Sequence, residues 1–313
     1  MLKYLIIQLD DVSVSYCHYD NPCVGSNLMP LATLKEGIVF AMKHNLHIQY
    51  ILPPHNLPDE YMETISSYPH DNIGPFGHSE HASVIVATGI SELTSHTGSL
   101  SPSKRYVLRT TVGDFLKTGL SLKGVFSAGI SVNIVFTDVD SFTDNMIREY
   151  EDIIRTLSSH IVELTLNGIS VNSNILTDRV VLKEMNNCGA GETSIALAPD
   201  GNLYPCPAFY IHREEYFSAT LENPVFRNSN LFTLNHSPLC RGCDAYHCKR
   251  CVWLNRKLTY EINTPSHQQC VMSHIERNIS KEILESFHSK GILTDISIPE
   301  IDYLDPFDNF QNT

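Results

Sequence analysis

CGAGETSIALAPDGNLYPCPAF (Cys188–Phe209) and CRGCDAYHCKRC (Cys240–Cys251), followed by Cys270, hold seven of the nine cysteines of this chain. The array reads C-x17-C, a gap of 33 residues, C-x2-C-x4-C-x2-C, and a last cysteine after 18 more. The 187 residues before it contain only Cys17 and Cys23. Two thiolates two residues apart can grip one metal centre from a single turn, which is the spacing of zinc and iron–sulfur sites. An odd array of seven pairs badly as disulfides, and thiols in a reducing compartment seldom form structural ones. Metal binding is the expected role.

Composition bounds the rest. The chain has 313 residues, 18% charged and 42% hydrophobic, the balance of a globular protein. No run approaches the roughly 20 apolar residues of a membrane span, so no membrane partner is expected. The N-terminus MLKYLIIQLDD ends its apolar run in two aspartates, as a buried first strand does and a signal peptide does not; a cytoplasmic location follows as an expectation. A net charge of −13 argues against general nucleic-acid binding. Locally the sign reverses: Arg241, Lys249, Arg250, Arg256 and Lys257 stand against Asp244 alone. That excess suits solubility, charge balance for an anionic cluster, or attraction of an acidic peptide.

Three segments are expected. Residues 1–184 alternate short β-branched runs (Lys3–Leu9, Leu46–Leu52, Ser83–Thr88, Ser131–Thr137, Val162–Leu166, Arg179–Leu182) with helical patterns (Leu31–Lys43, Asp59–Ser66, Val112–Leu120, Asp144–Ser158). Such alternation predicts an α/β sheet or partial barrel, with too few strands for eight complete units. Residues 185–272 are turn-rich, and Ala198-Pro199-Asp200-Gly201-Asn202 predicts a hairpin that brings Cys188 and Cys206 together. Residues 273–313 continue a helix expected over 271–290, then an acidic tail with Tyr303, Phe307 and Phe310 interleaved, read as loosely held or as a docking segment.

The run from Cys188 to Phe209 resembles the opening of a SPASM domain, the C-terminal iron–sulfur module of many radical-SAM peptide-modifying enzymes. Cys188, twelve residues, Gly201, four residues and Cys206 match its spacing, with Pro-Asp-Gly and Tyr-Pro-Cys in place. The knot Cys240, Cys243, Cys248 and Cys251 is one residue shorter than the family's in each of two gaps, and Cys270 supplies the distant last cysteine. The resemblance implies two auxiliary 4Fe–4S clusters. Cys188, Cys206 and Cys251 would serve the first; Cys240, Cys243, Cys248 and Cys270 the second. Three thiolates leave one iron of the first open to water, to substrate, or to an eighth ligand such as Cys17 or Cys23. Structural zinc remains the alternative metal.

Radical-SAM enzymes carry C-x3-C-x2-C just after the first strand. With Cys17 as its third cysteine, the first two positions here hold Asp10 and Val14, and valine cannot ligate iron. No site for S-adenosylmethionine is therefore expected. A cysteine-poor front half joined to a SPASM-like rear half is similar to the CXXX repeat peptide maturase family. This resemblance implies a degenerate partial (β/α) barrel of radical-SAM type. It also implies the maturation of a small cysteine-rich precursor peptide beside a true radical-SAM partner. The alternatives are a self-sufficient redox or radical enzyme and a zinc-stabilised peptide-binding module. No catalytic residue is assigned.

Other groups carry weaker signals. His44-x2-His47 and His78-x2-His81 have metal-binding spacing but no third ligand, and read as ordinary surface or packing histidines. His18 beside Cys17 could make a nucleophilic pair, or the thiol could simply pack near the first strand. Asp10, Asp11, Asp20, Tyr16 and Tyr19 cluster where a barrel mouth would lie, to bind a peptide or to solvate a loop. Trp253, the only tryptophan, reads as a shield over a cluster.

Overall fold

The structure is a computed structural model that describes residues 2–78, 80–302 and 306. Tyr303, Asp305, Phe307, Asp308 and Phe310 of the expected tail lie outside the described residues. In chain order the first elements are β1 (Tyr4–Gln8), α1 (Leu31–His44), β2 (His47–Ile51), α2 (Asp59–Ile65), β3 (His70–Pro75) and β4 (Val84–Thr88). Then come α3 (Ile90–Ser95), β5 (Arg105–Thr110), α4 (Val112–Thr118), α5 (Leu122–Ser127), β6 (Val132–Phe136), α6 (Asp144–Leu166) and α7 (Asp178–Val181). The last are β7 (Ser194–Leu197), β8 (Leu203–Tyr204), α8 (Pro207–Ile211), α9 (Val252–Thr259) and α10 (His267–His288).

Packing groups the chain into two compact units, Met1–Val86 with Cys188–Ser237 and Cys251–Asn263, and Ala87–Asn187 with Pro238–Arg250 and Thr264–Thr313. In the first unit the strands run in the order β4-β3-β2-β1-β7-β8. All these pairings are parallel except the β7–β8 hairpin, whose turn contains Gly201 at φ +83° as the Pro-Asp-Gly sequence predicts. The period of two in β1 sorts its side chains. Ile7 points to the face covered by α1, where a Cβ on Gly37 would meet Leu197 at 2.5 Å and Ile7 at 3.5 Å. Ile6 points to the other face and packs with Ile51 and Ala196.

In the second unit β5 and β6 pair in parallel. Two long helices, α6 and α10, frame its core: Tyr150, Ile154, Leu157 and Ile161 of α6, and Ile275, Ile279 and Ile283 of α10, are nearly inaccessible. Thr143 caps α6, its hydroxyl accepting the Met146 N–H at 3.4 Å.

Two expected strands are helices. Val162–Leu166 is the end of α6, because Ile147, Tyr150, Ile154, Leu157, Ile161 and Leu164 continue one buried face at spacings of three and four. Arg179–Leu182 falls largely in α7, where Arg179 is buried against Asp244. Conversely β3, sequence HDNIGP, carries too little hydrophobic pattern to be read as a strand. The residue leading into β4 satisfies two of its polar groups: Asn72 N–H donates to the Ser83 hydroxyl at 3.2 Å, and that hydroxyl donates to Asp71 at 3.0 Å.

Candidate metal centres

None of the nine cysteines forms a disulfide. In the first unit Cys188, Cys206 and Cys251 line one cavity of about 240 Å³, and Cys17 lines it with them. A water occupies about 30 Å³ of liquid, so the void exceeds one ion several-fold. Among the described residues no three His, Cys, Asp or Glu side chains converge on a single ion-sized point. The thiols surround a space instead. Tyr4 and Ile6 of β1, Gln49 of β2 and Ser194 of β7 form its floor, while Tyr16, Tyr19 and the almost wholly buried Trp253 wall it in.

Each thiol is brought by a different local device. Cys188 precedes a tight turn in which Gly191 adopts φ +75°, and a Cβ there would sit 2.6 Å from the Phe232 ring. Cys206 ends the β7–β8 hairpin and caps α8, with Pro207 at the first helical position. Cys251 caps α9, its sulfur accepting the Leu254 N–H at 3.4 Å. Backbone donors at such caps favour a thiolate. Against them, burial and the neighbouring thiols Cys188 and Cys17 push the Cys206 thiol well up. Cys251 is raised by its hydrogen bond with Cys17, then by burial and by Cys17, Cys188 and Cys206 nearby. Crowded thiols of this kind are held neutral until a cation arrives to take the charge.

The loop between β1 and α1 delivers Cys17. Asp10 is fully buried and is spent on holding this loop. Its carboxylate accepts N–H groups of Val12 at 3.0 Å and Asn27 at 3.1 Å and the Ser26 hydroxyl at 2.5 Å, with His55 Nε2 at 3.7 Å. Asn21 donates to the Asp11 and Ser13 carbonyls at 2.6 and 2.9 Å, and Tyr210 donates to the Asp11 carboxylate at 2.5 Å. Val14 packs with Tyr16 against Ile6, Ile51 and Ala196. The places of two cysteines in C-x3-C-x2-C are thus taken by a loop anchor and a core residue. Cys23 does not line the cavity; burial and Asp11 raise its thiol.

In the second unit Cys240, Cys243, Cys248 and Cys270 gather. Burial, then Cys248 and Cys243, push the Cys240 thiol up to about 12. Burial, then Cys248, Cys240 and Cys243, do the same for Cys270. His274, one turn beyond Cys270 on α10, sets Nε2 3.6 Å from the Cys243 sulfur, and the Ala245 N–H donates to that sulfur at 3.4 Å. Gln269 Nε2 lies 4.0 Å from the Cys248 sulfur. The residues between the cysteines dock the knot. Asp244 takes two hydrogen bonds from Arg277, at 2.9 and 2.8 Å, and one from Arg179 at 3.4 Å. His247 meets Glu276 at 3.0 Å, and Glu276 also accepts the Tyr150 hydroxyl at 2.6 Å. Cysteine spacing pointed to neither His274 nor these anchors; only the placement of His274 one turn after Cys270 and the polar DAYH insert hinted at them.

The histidine pairs stay separate from both sets. His47 meets Asp71 at 3.1 Å and His44 packs on Phe40. His78 and His81 line another cavity with His55.

In the first unit, parallel strands alternate with helices in an α/β arrangement, with the first set of thiols on the sheet face opposite α1. Among solved structures, hexahistidine-tagged anSMEcpe with bound AdoMet superposes with a TM-score of 0.59 at 14% identity, over 91% of this chain and 98% of that one. Native anSMEcpe with bound AdoMet and the Cp18Cys peptide gives 0.58 at 14% identity, over 93% and 98%. The likeness shows the fold, a degenerate partial (β/α) barrel of radical-SAM type. A scan of protein-family models and a search of the curated proteins found no match. Among the described residues no helix is long and apolar enough to cross a membrane.

Proposed function

We propose that this chain is a peptide-maturation protein of the CXXX repeat type. It recognises a cysteine-rich precursor peptide and supports its modification through two 4Fe–4S clusters, beside a radical-SAM partner. The observation that carries this reading is the gathering of the SPASM-like cysteines into two separate all-sulfur sets, one of them around a cavity of about 240 Å³. The donors are soft thiols, Cys251 buried, Cys188 exposed and the other five half-buried, and their softness fits iron and sulfide. Cys188, Cys206 and Cys251 would hold the first cluster and Cys240, Cys243, Cys248 and Cys270 the second. A cluster so bound supplies one-electron transfer.

The chain's own residues do the rest. Tyr16, Tyr19 and Trp253 line the first cavity with aromatic surface. The N–H groups aimed at the Cys206, Cys243 and Cys251 sulfurs stabilise negative charge there. Asp10 and Val14 leave no trio of thiolates at which S-adenosylmethionine would be reduced. The binding of a cysteine-containing peptide by a protein of the same fold supports the substrate class.

Anaerobic purification with iron and acid-labile sulfide analysis tests the reading. About eight irons per chain are expected, with a reducible EPR signal. No 5′-deoxyadenosine should form when this chain alone meets S-adenosylmethionine and a strong reductant. A colourless protein containing only zinc refutes the clusters. Turnover of S-adenosylmethionine by the isolated chain refutes dependence on a partner.

A further inference from the structure

We infer that Cys17 is the fourth thiolate of the first site, so that a cluster held there is closed to substrate and staples the loop after β1. The inference rests on the cluster reading above and goes beyond its ligand set, which left one iron open. Four cysteines, not three, line the cavity. The remaining polar groups of the lining are phenols, one amide and one hydroxyl, together with the Trp253 indole, all poor iron ligands beside a thiolate. Cys17 hydrogen-bonds with Cys251, so the two sulfurs already share one edge of the void.

Its placement is enforced. Asp10 and Asn21 bind the loop's backbone on both sides of Cys17, and Val14 and Tyr16 fix its apolar side. The neighbouring candidate, Cys23, stands outside the lining.

A 4Fe–4S cluster takes one thiolate per iron, so four sulfurs leave no vacant coordination position. Each thiol releases its proton to solvent on ligation. Electron passage remains available at such a centre, whereas direct capture of a precursor thiolate does not. The precursor's cysteines must then be recognised elsewhere on the chain.

The test uses the full chain, reconstituted anaerobically with iron and sulfide, as wild type and as Cys17→Ala, Cys17→Ser, Cys188→Ala and Cys23→Ala. Iron, sulfide, EPR and Mössbauer spectra are recorded with and without added 2-mercaptoethanol. The wild type should hold about eight irons and show no spectral response to the thiol. Cys17→Ala should either lose about four irons, as Cys188→Ala does, or keep a cluster whose spectrum changes when 2-mercaptoethanol binds the exposed iron. Cys17→Ser conserves the loop and should shift the spectrum through an oxygen ligand. Cys23→Ala should match the wild type.

Three results defeat the inference alone: Cys17 variants indistinguishable from an iron-loaded wild type, a wild-type cluster that binds the added thiol, or a Cys17–Cys251 disulfide found by mass spectrometry of the loaded protein. A wild type that takes up neither iron nor sulfide defeats the cluster reading and the inference together.

Discussion

The two cysteine sets are built in opposite ways. The second is nearly local: Cys240, Cys243 and Cys248 lie within nine residues, and Cys270 follows after 21 more. The first is drawn from the loop after β1, the start and end of the β7–β8 segment, and the cap of α9. Closing the 170 residues between Cys17 and Cys188 costs about 2 kcal/mol more chain entropy than closing the 21 between Cys248 and Cys270. The barrel sheet must supply that closure before any metal binds. A short motif can announce a site; a site made of distant pieces needs a scaffold to announce it.

The largest effect that would sharpen this contrast is expected from Cys251→Ala. It removes one thiol of the first set and the cap of α9 together. Iron should fall by about half while the second set's spectrum persists. Iron analysis with EPR checks this, and a proportional loss from both sets would mean that the centres load as one.

Next comes Asp244→Asn. It leaves Arg277 and Arg179 buried beside a neutral partner, and a broken buried pair costs about 3–5 kcal/mol. Urea denaturation should show that loss and weaker retention of the second cluster. If iron at the second set is untouched, the anchor does not organise the knot.

Gly191→Ala is expected to cost less, about 1–3 kcal/mol, through a strained positive φ and the close approach to Phe232. Its effect should concentrate on the first set, read as slower iron uptake at unchanged second-set signal.

The smallest effect is expected from His274→Gln. Iron content should stay unchanged while the second cluster's reduction potential falls, because the Nε2–H tautomer of His274 would donate to a Cys243 thiolate and glutamine replaces it with a weaker donor. Redox titration followed by EPR reads it, and an unshifted potential removes His274 from the site's electrostatics.

Much of this molecule was written in local pattern. The hairpin at Pro199-Asp200-Gly201, the cap at Thr143, and the helices α1, α2, α4 and α10 follow from turn chemistry and spacing. The errors came where burial overrode local preference. The β-branched end of α6 is helical because its apolar stripe continues, and the polar β3 is a strand because it pairs in parallel with β2 and β4.

Residue order alone grouped seven thiols between Cys188 and Cys270 and showed a valine at position 14, where a C-x3-C-x2-C motif ending at Cys17 would need a cysteine. It left Cys17 undecided among several roles, and only the polar DAYH insert hinted that Asp244 and His247 moor the knot to α10. Where these residues stand is decided by the packed fold. Parallel pairing of β1 with β2 and β7 carries the Cys17 loop and the Cys188 turn to one cavity. Buried charges find partners across more than thirty residues, as Asp244 does with Arg277. Such contacts depend on three-dimensional closure, which no local spacing encodes.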